Sequence, residues 1–391
     1  MTDKLTYLET HPWIKFEYNS INILPQTWIK LGECASKCEQ IADVPLKPDT
    51  KENLYLIYLS KGVQATTAIE GNTLTEEQIK DIIEKKSNIP ESQKYQEYEV
   101  KNIIKVCNKI AVDVFSNVRS PITTERICEY NQIVLENTSY DDWIEPGVLR
   151  NRVVGVPGYK APHHQYLSIL MKKLCNWLNS DLFKPGQGEN QIVYAIIKAI
   201  IAHIYIAWIH PFGDGNGRTA RLIEFEILAF SGVPLPAAHL LSNHYNMTRT
   251  EYYRQLSKTS KSRGNIIDFI CYAVQGFNDG LKNQILLIRE QQIDVALENF
   301  IHEQFRGKKG ELWQRRRFLA LDLSKQENPI KKEEIPTIST RLYNAYKYIH
   351  PRAITRDLQE LIKMDLVQRI EKAYRVKKEI ILEFLPPRID I

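Results

Sequence analysis

The twelve residues from His210 to Arg221 carry the side chains best suited to catalysis in this chain, and they read HPFGDGNGRTAR. His210 is a residue type that accepts a proton near neutral pH, and Asp214 offers a carboxylate that suits Mg²⁺. Arg218 and Arg221 are three residues apart, so on a helix they share one face and both reach one polyphosphate. A base, a metal ligand and two arginines together predict attack of a hydroxyl group on a nucleotide phosphate.

The segments on either side predict a glycine loop that opens onto a helix. Residues 192–209 form an apolar run whose length favours a buried helix over a strand. Pro211 and three closely spaced glycines interrupt this helix, and a second helix is expected to begin near Arg218. The first N–H groups of that helix have no partners within it, so together with the helix dipole they favour an anion. Gly215 and Gly217 allow the backbone to approach a phosphate closely.

The combined motif is more specific than its parts, since a histidine before a proline or an Asn-Gly pair is by itself typical of a loop. The stretch resembles the signature HxFx(D/E)GN(G/K)RxxR of the Fic family at every fixed position. The resemblance implies transfer of AMP from ATP to a hydroxyl side chain (Ser, Thr or Tyr) of a target protein, with Mg²⁺ present and pyrophosphate released. It implies that His210 deprotonates the hydroxyl and that Asp214 binds Mg²⁺. The residues implied to bind the nucleotide are Gly215, Asn216, Gly217, Arg218, Thr219, Ala220 and Arg221, with Arg221 at the γ-phosphate.

A second segment, residues 66–71, reads TTAIEG and predicts the end of a helix. The helix is expected over residues 54–70, with Gly71 in the left-handed conformation typical of a helix C-terminus. Thr75 and Gln78 then form a capping box that begins the next helix. On this interpretation Glu70 lies in the last, exposed turn of a helix. A carboxylate there opposes the helix dipole and favours an external cation.

The same segment resembles the inhibitory pattern (S/T)xxxE(G/N) of the Fic family. The resemblance names Arg221 as the cation, so that Glu70 would occupy the γ-phosphate position and inhibit the enzyme from within the same chain. In some relatives this glutamate serves the reverse reaction, which removes AMP from the target. That role stays open here.

Residues 145–164 predict a short hairpin, because Val153–Val156 is β-prone and the next two residues are a Pro-Gly turn. In the Fic family a hairpin at this place, the flap, docks the target segment by main-chain pairing. Gly147 and Arg150 fit the usual lead-in to the flap. The resemblance places the flap tip at Val156, Pro157, Gly158 and Tyr159.

A pair of tyrosines in the helical stretch 250–256 has two interpretations. Such a pair is typical of a core or an interface, whereas the resemblance implies that Tyr253 stacks on the adenine base. Ser260 departs from relatives that carry an asparagine near this position, which leaves the contact to the adenine edge open. His203 is interpreted as a hydrogen-bonded core residue rather than a metal ligand.

The composition bounds what kind of protein this is. With 391 residues, 43% of them hydrophobic, the chain can build one large core or two to three domains. Six cysteines without framework spacing predict free thiols and a cytoplasmic location. The polar N-terminus carries no signal pattern, and Lys198 and His203 interrupt the apolar run, so no membrane partner is expected.

The C-terminal quarter differs in charge from the rest of the chain. Residues 1–290 are balanced, whereas residues 291–391 hold 20 Lys and Arg against 15 Asp and Glu. A helical stripe over 354–366, preceded by a shorter helix and followed by a basic hairpin, resembles a winged helix-turn-helix domain. Such a domain binds either DNA or only proteins. For DNA the candidates are Arg352, Thr355, Arg356 and Gln359 in the groove, and Lys372, Arg375, Lys377 and Lys378 near phosphates.

Together these patterns predict a mainly α-helical protein: a Fic-type helical bundle with a small β-hairpin flap and a C-terminal winged-helix domain. The expected domains are an N-terminal helical region (1–110), a catalytic core (111–290) and the winged helix (291–391). The leading hypothesis is an autoinhibited protein adenylyltransferase, with self-modification and a homodimer as further expectations of the resemblance. The alternatives are an AMP-removing or bifunctional enzyme, and an ATP-sensing DNA-binding regulator. The complete set of His210, Asp214 and Arg221 favours an enzyme, because a sensor needs no base.

Overall fold

A computed structural model describes residues 7–45, 48–156 and 158–382 of this chain. The chain divides into two compact units, residues 1–285 and residues 286–391, each with its own hydrophobic core. The boundary between them falls within one long helix, Ile267–Gln304.

The first unit is built almost entirely from helices. One hydrophobic core runs from Tyr7 to Leu281, and residues on both sides of position 110 contribute to it. The only strands among the described residues of this unit are β1 (Gly155–Val156) and β2 (Tyr159–Lys160), which pair antiparallel. Its helices are α1 (Tyr7–Thr10), α2 (Pro25–Ala42), α3 (Pro48–Ala68), α4 (Glu76–Ile83), α5 (Lys94–Phe115), α6 (Thr124–Val134), α7 (Leu167–Leu178), α8 (Gln191–Ile209), α9 (Asn216–Phe230), α10 (Leu235–Ala238), α11 (Leu240–Met247), α12 (Arg249–Lys261) and the start of α13 (Ile267–Gln304).

Helix α8 is the centre of this unit, as its uniformly apolar sequence predicts. It packs against α2, α7 and most extensively α9, so the catalytic motif is the connection between two core helices. Among the described residues, α8 alone is long and apolar enough to cross a membrane, but 78% of its apolar window is buried in the core.

Helix α3 ends at Ala68, two residues earlier than the sequence predicts, and a turn follows. The N–H of Asn72 donates to the carbonyl of Thr67 at 3.2 Å, and Gly71 has φ +102°, as in a Schellman motif. Glu70 therefore lies in a fixed turn beyond the helix. The predicted capping box is confirmed, since the side chains of Thr75 and Gln78 each accept the other's backbone N–H.

The second unit combines helices with a small antiparallel sheet whose strand order is β3-β5-β4. The buried carboxylates of Asp322 and Asp357 join its helices: Asp357 accepts from Arg315 and Arg316, at 2.7 and 2.9 Å. Strand β3 was not predicted, because a two-residue strand has no periodicity to detect. The elements are α14 (Glu311–Ser324), β3 (Ile330–Lys331), α15 (Thr340–Tyr346), α16 (Arg352–Lys363), β4 (Val367–Ile370), β5 (Ala373–Val376) and α17 (Glu379–Leu382).

Candidate active site

The connection between α8 and α9 is a tight loop that begins at His210. This residue adopts the left-handed conformation (φ 48°, ψ 61°), while its N–H still donates to the carbonyl of Ile206 at 2.8 Å. Gly215 also has a positive φ (76°) and caps α9, which begins at Asn216, two residues earlier than predicted. A non-glycine residue with positive φ is strained, so the surrounding structure must hold His210 in place.

Arg150 provides that support from the lead-in to the hairpin. Its guanidinium donates to the carbonyls of His210 (2.7 Å), Arg152 (2.6 Å) and Pro162 (2.7 Å), and its own N–H donates to Pro211 at 2.9 Å. Burial lowers the pKa of Arg150 to about 10, so it remains charged at neutral pH. One buried cation thus joins the catalytic loop to the hairpin segment, a role that sequence reasoning did not assign to it.

The side chain of Asn216 closes the loop through two hydrogen bonds to the backbone. Its amide oxygen accepts the N–H of Phe212 and its amide nitrogen donates to the carbonyl of Phe212, both at 2.9 Å. Thr219 and Ala220 are buried completely, so their side chains belong to the core. The side chains of these three nucleotide-binding candidates are therefore engaged in the loop or in the core, and their role in binding stays a prediction.

Asn131 of α6 supports the loop through two hydrogen bonds, and no local sequence pattern predicts this role. Its Nδ2 donates to the carbonyl of Asp214 at 2.9 Å, and its Oδ1 accepts the N–H of Gly147 at 3.0 Å. A Cβ atom at Gly215 would lie 2.9 Å from Asn131 Nδ2, so glycine is required there for packing as well as for φ.

The surroundings of the His210 ring favour its neutral form. Burial lowers its pKa to about 4, and a nearby positive charge on Arg150 adds to this effect. A hydrogen bond to the backbone of Ala207, together with Glu70 and Asp214, opposes the shift only in part. At neutral pH one ring nitrogen is therefore free to accept a proton.

Arg218 lies between two carboxylates at the start of α9. Its Nη2 is 3.0 Å from Asp214 Oδ2, and its Nη1 is 3.2 Å from Glu99 Oε1 on α5. The other Asp214 oxygen accepts the N–H of Gly215 at 2.6 Å. Glu99, which sequence reasoning missed, also accepts from Asn72 at 2.8 Å and so connects Arg218 to the turn that carries Glu70.

Glu70 is in direct contact with Arg221. The distance from Arg221 Nη2 to Glu70 Oε1 is 2.6 Å, and the same nitrogen donates to the carbonyl of Thr66 at 2.9 Å. Burial raises the pKa of Glu70, but the charge of Arg221 and its hydrogen bond have the larger opposite effect. The pKa of Glu70 is therefore below its ordinary value. The carboxylate lies against the backbone of Gly217 in the first turn of α9, where any Cβ would collide with it.

The two tyrosines have different environments, and the core interpretation describes Tyr252 alone. Tyr252 is buried, and its hydroxyl is 2.9 Å from Nε2 of His203, whose Nδ1 is 3.0 Å from Glu224. The prediction that His203 is a hydrogen-bonded core residue is confirmed. Tyr253 is 46% exposed, and its hydroxyl donates to the carbonyl of Ile69 at 3.2 Å.

The predicted hairpin is present as the pairing of β1 with β2. Val156 is exposed, whereas the Tyr159 hydroxyl points inward and donates to the carbonyl of Trp208 at 2.6 Å. His11 supports the hairpin from the N-terminal segment, with Nε2 2.8 Å from the carbonyl of Lys160. Of the predicted tip residues, Pro157 lies outside the described residues.

Similarity to known proteins agrees with this geometry. Residues 121–228 match the Fic/DOC family. Protein adenylyltransferase fic-1 of Caenorhabditis elegans is 30% identical over 224 residues, which are 56% of this chain and 39% of that protein. Protein adenylyltransferase Fic of Nematostella vectensis is 28% identical over 232 residues, 59% of this chain and 49% of that protein. The chain thus spans less than half of either relative.

Two solved structures resemble the fold. A Fic family protein from Desulfovibrio desulfuricans G20 has a TM-score of 0.56 at 18% identity, covering 92% of this chain and 98% of that one. Fic-1 (residues 134–508) from C. elegans has a TM-score of 0.54 at 24% identity, covering 68% and 73%. Both likenesses concern the fold, which is of the mainly α-helical Fic type.

Proposed function

This chain carries a Fic domain, and on that premise we propose that it is a protein adenylyltransferase held inactive by its own Glu70. The reaction transfers AMP from ATP to a Ser, Thr or Tyr hydroxyl of a target protein, or of the enzyme itself, and releases pyrophosphate. The names of the relatives from C. elegans and N. vectensis support the reaction type.

The observation that carries this proposal is a carboxylate lying in an anion site. Glu70 Oε1 rests against the N-terminal turn of α9, where backbone N–H groups and the helix dipole favour a phosphate. Nε and Nη1 of Arg221 and Nε of Arg218 are buried without a hydrogen-bond partner among the described residues. Unpaired buried donors are costly, so these nitrogens fit the extra oxygens of a polyphosphate.

The proposed chemistry is an in-line displacement at the α-phosphorus. The neutral His210 ring accepts the proton of the target hydroxyl as its oxygen forms a bond to the α-phosphorus. The bond between the α-phosphorus and the bridging oxygen breaks, and the electron pair leaves with pyrophosphate. Arg218 and Arg221 neutralise the charge that develops on the β- and γ-phosphates. Arg150 keeps His210 in its strained conformation and contributes no atom to the reaction.

Asp214 is the residue that would bind Mg²⁺. Its side chain is 44% exposed at the edge of the loop, and releasing Arg218 would free one of its oxygens. No cluster of three or more ligating side chains occurs within the described part of the chain. Mg²⁺ commonly keeps several waters and uses one or two carboxylates plus substrate phosphates, so a lone Asp214 fits an ion that arrives with the nucleotide.

The hairpin is the proposed docking place for the target. Its exposed β1 edge and the half-exposed Val156 suit main-chain pairing with an extended segment, while Tyr159 and His11 hold it against the core. A cytoplasmic location is part of the proposal, supported by six cysteines that are all free thiols.

We propose that the second unit is a winged helix-turn-helix domain that contacts proteins rather than DNA. The order of helix, strand, two helices and hairpin supports the assignment. Three of the four basic residues predicted to meet DNA phosphates are in ion pairs within the unit, and Lys372 is the exception. These pairs are Arg375 with Glu379, Lys377 with Asp365, and Lys378 with Asp294.

The test of the chemistry uses ATP labelled at either the α- or the γ-phosphate, with Mg²⁺ and a Glu70→Gly variant. We expect the α-label, and not the γ-label, to become attached to protein. His210→Ala in the same background should lower the rate at least about 10²-fold. Attachment of the γ-label would identify a phosphate transfer, and an unchanged rate in the His210→Ala variant would reject the base.

A further inference from the structure

A second polar cavity lies in the first unit, bounded by α8, α9 and the loop before α6. Its volume is about 160 Å³, and its wall includes Arg119, Gln191, Lys198, Glu226 and Phe230. Lys198 precedes His210 by twelve residues on α8, a separation of about 18 Å along a helix. The cavity is therefore distinct from the catalytic loop, and the proposed reaction makes no use of its residues.

The positive charges that line this cavity share a single acidic side chain in its wall, that of Glu226. Lys198 is partly buried, and neither its ammonium nor the exposed guanidinium of Arg119 forms an ion pair or a side-chain hydrogen bond with a described residue. Burial lowers the pKa of Lys198, although the carboxyl group of Glu226 opposes this shift. A cation removed from water without a partner is costly, so its retention here calls for an anion.

The one carboxylate in the wall is already engaged. Glu226 is 1% exposed and forms an ion pair with Arg126, which also contacts Asp113 at 3.1 Å. Burial raises the pKa of Glu226 to about 7 despite Arg126, so near neutrality its carboxyl group is only partly ionised. Glu226 is therefore shared with Arg126 and compensates the charge of Lys198 only in part.

Two further features suit an anion. Gln191, the first residue of α8, lines the cavity two turns before Lys198 on the same side of the helix, and its side-chain amide can donate a hydrogen bond to an anion. The remaining wall combines the polar residues Ser120, Asn179 and Ser231, which offer hydrogen-bond donors, with the apolar side chains of Ile122, Ile227 and Phe230.

We propose that this cavity is a binding site for a small dianion, held by the ammonium of Lys198 and the guanidinium of Arg119. Inorganic phosphate and a short dicarboxylate such as succinate share this chemistry and both match the cavity in size. The inference does not depend on the proposed transferase activity.

The test is isothermal titration calorimetry on the full chain with phosphate and with succinate as the two probes. A saturating ATP analogue with a methylene group between the α- and β-phosphates keeps the catalytic loop occupied. We expect at least one probe to bind with a stoichiometry of one. Phosphate binding alone would identify an inorganic anion, and succinate binding alone would identify an organic one that also uses the apolar wall.

The matched variants are Lys198→Met and Lys172→Met, since Lys172 is an exposed lysine of α7 outside the cavity. Lys198→Met should weaken binding about tenfold or more, as expected for loss of a charge-assisted contact, and Lys172→Met should leave it unchanged. Arg119→Gln, at an exposed position, gives the same test if Lys198→Met does not fold. Absence of 1:1 binding for both probes, or wild-type affinity in Lys198→Met and Arg119→Gln, would overturn the proposal.

Discussion

Arg221 is the residue on which catalysis and inhibition meet. It is among the largest fully buried side chains, yet among the described residues its guanidinium forms hydrogen bonds only with Glu70 and the carbonyl of Thr66. A buried guanidinium that keeps unused donors is poised to exchange one anion for another. On the proposed function, Glu70 and a γ-phosphate compete for the same nitrogen atoms, and we expect transfer to depend on which of them holds Arg221.

The His210 ring leads to a prediction about pH. Because burial lowers its pKa to about 4, the ring stays neutral and competent as a base until the pH approaches that value. In the Glu70→Gly variant, kcat/KM for AMP transfer should therefore be nearly constant from about pH 8 to about pH 5 and fall below it. A decline centred near pH 6.5, the ordinary value for histidine, would contradict the buried-base assignment.

Tyr253 is expected to act on the inhibitory turn as well as on the nucleotide. Its hydroxyl donates to the carbonyl of Ile69, next to Glu70, whereas its half-exposed ring is available to a base. Tyr253→Phe keeps the ring and loses the hydrogen bond, so basal transfer should rise about two- to tenfold with unchanged affinity for ATP. The rate of AMP transfer and the Kd for ATP check this. Tyr98→Phe, at an exposed tyrosine of α5, is the control, and equal rates in both variants would exclude the role.

At the residue scale, the sequence predicted the residues of the loop but not the side chains that hold the loop in place. His210, Asp214, Arg218 and Arg221 lie in one contiguous motif, so their spacing alone predicts a shared site. Arg150, Asn131 and Glu99 reach this loop from 60 to 119 residues away, and two of them act on backbone carbonyls. Contacts of that kind leave no local sequence pattern. The sequence therefore did not predict Asn131 or Glu99, and it predicted Arg150 only as part of the lead-in to the hairpin.

Among the elements, the turn after α3 is the one that positions the inhibitory carboxylate. Asn72 fixes this turn: its Nδ2 donates to Glu99 at 2.8 Å and to the carbonyl of Gln96 at 3.1 Å, and its Oδ1 accepts from Leu74 at 3.0 Å. The turn is thus fastened to α5, the helix that also holds Arg218. Glu70 is presented to Arg221 by a rigid structure rather than by a loose segment.

Loss of the Asn72 side chain should therefore weaken inhibition. Asn72→Ala removes three hydrogen bonds from a buried site, so we expect a lower Tm and a free energy of unfolding reduced by about 1–3 kcal/mol. Basal AMP transfer should rise at the same time, because the turn is less well fixed. Thermal unfolding and α-label incorporation measure the two effects. Asn108→Ala, exposed on α5, is the control; a less stable Asn72→Ala protein with wild-type activity would separate the turn from inhibition.

The basic hairpin of the second unit gives a prediction at the same scale. Because Arg375, Lys377 and Lys378 are paired with carboxylates, the full chain should bind duplex DNA only in the non-specific range of about 10⁻⁴–10⁻⁶ M. Fluorescence anisotropy at several salt concentrations measures this affinity. Tight, salt-dependent binding that Arg356→Ala abolishes would instead support a DNA-binding domain.

The sequence predicted the bounds of those helices that have a long apolar run or a capping motif. The long apolar run predicted α8 nearly to its ends, and the capping box predicted the start of α4. The end of α3 was placed two residues late, since a Schellman turn at Gly71 allows either boundary. Strand β3 depends on pairing of Ile330 with Tyr374, a contact between residues 44 apart that no local propensity encodes.

At the scale of the whole molecule, the proposed inhibition lies within the first unit. The Fic family match covers residues 121–228, whereas Glu70 lies outside it but within the same compact unit and next to the same core. The excess positive charge, by contrast, lies in residues 291–391. The second unit is therefore not required to complete the catalytic loop, and its contribution is expected to be recognition of other proteins.

The most direct test of the central claim compares AMP transfer by the wild type, Glu70→Gln and Glu70→Gly with α-labelled ATP and Mg²⁺. If the charge of Glu70 holds Arg221 away from the γ-phosphate, the rate should rise about 10- to 100-fold in Glu70→Gly. Glu70→Gln, which keeps the shape and loses the charge, should be intermediate. Equal rates in all three proteins, with measurable transfer in each, would contradict inhibition by Glu70.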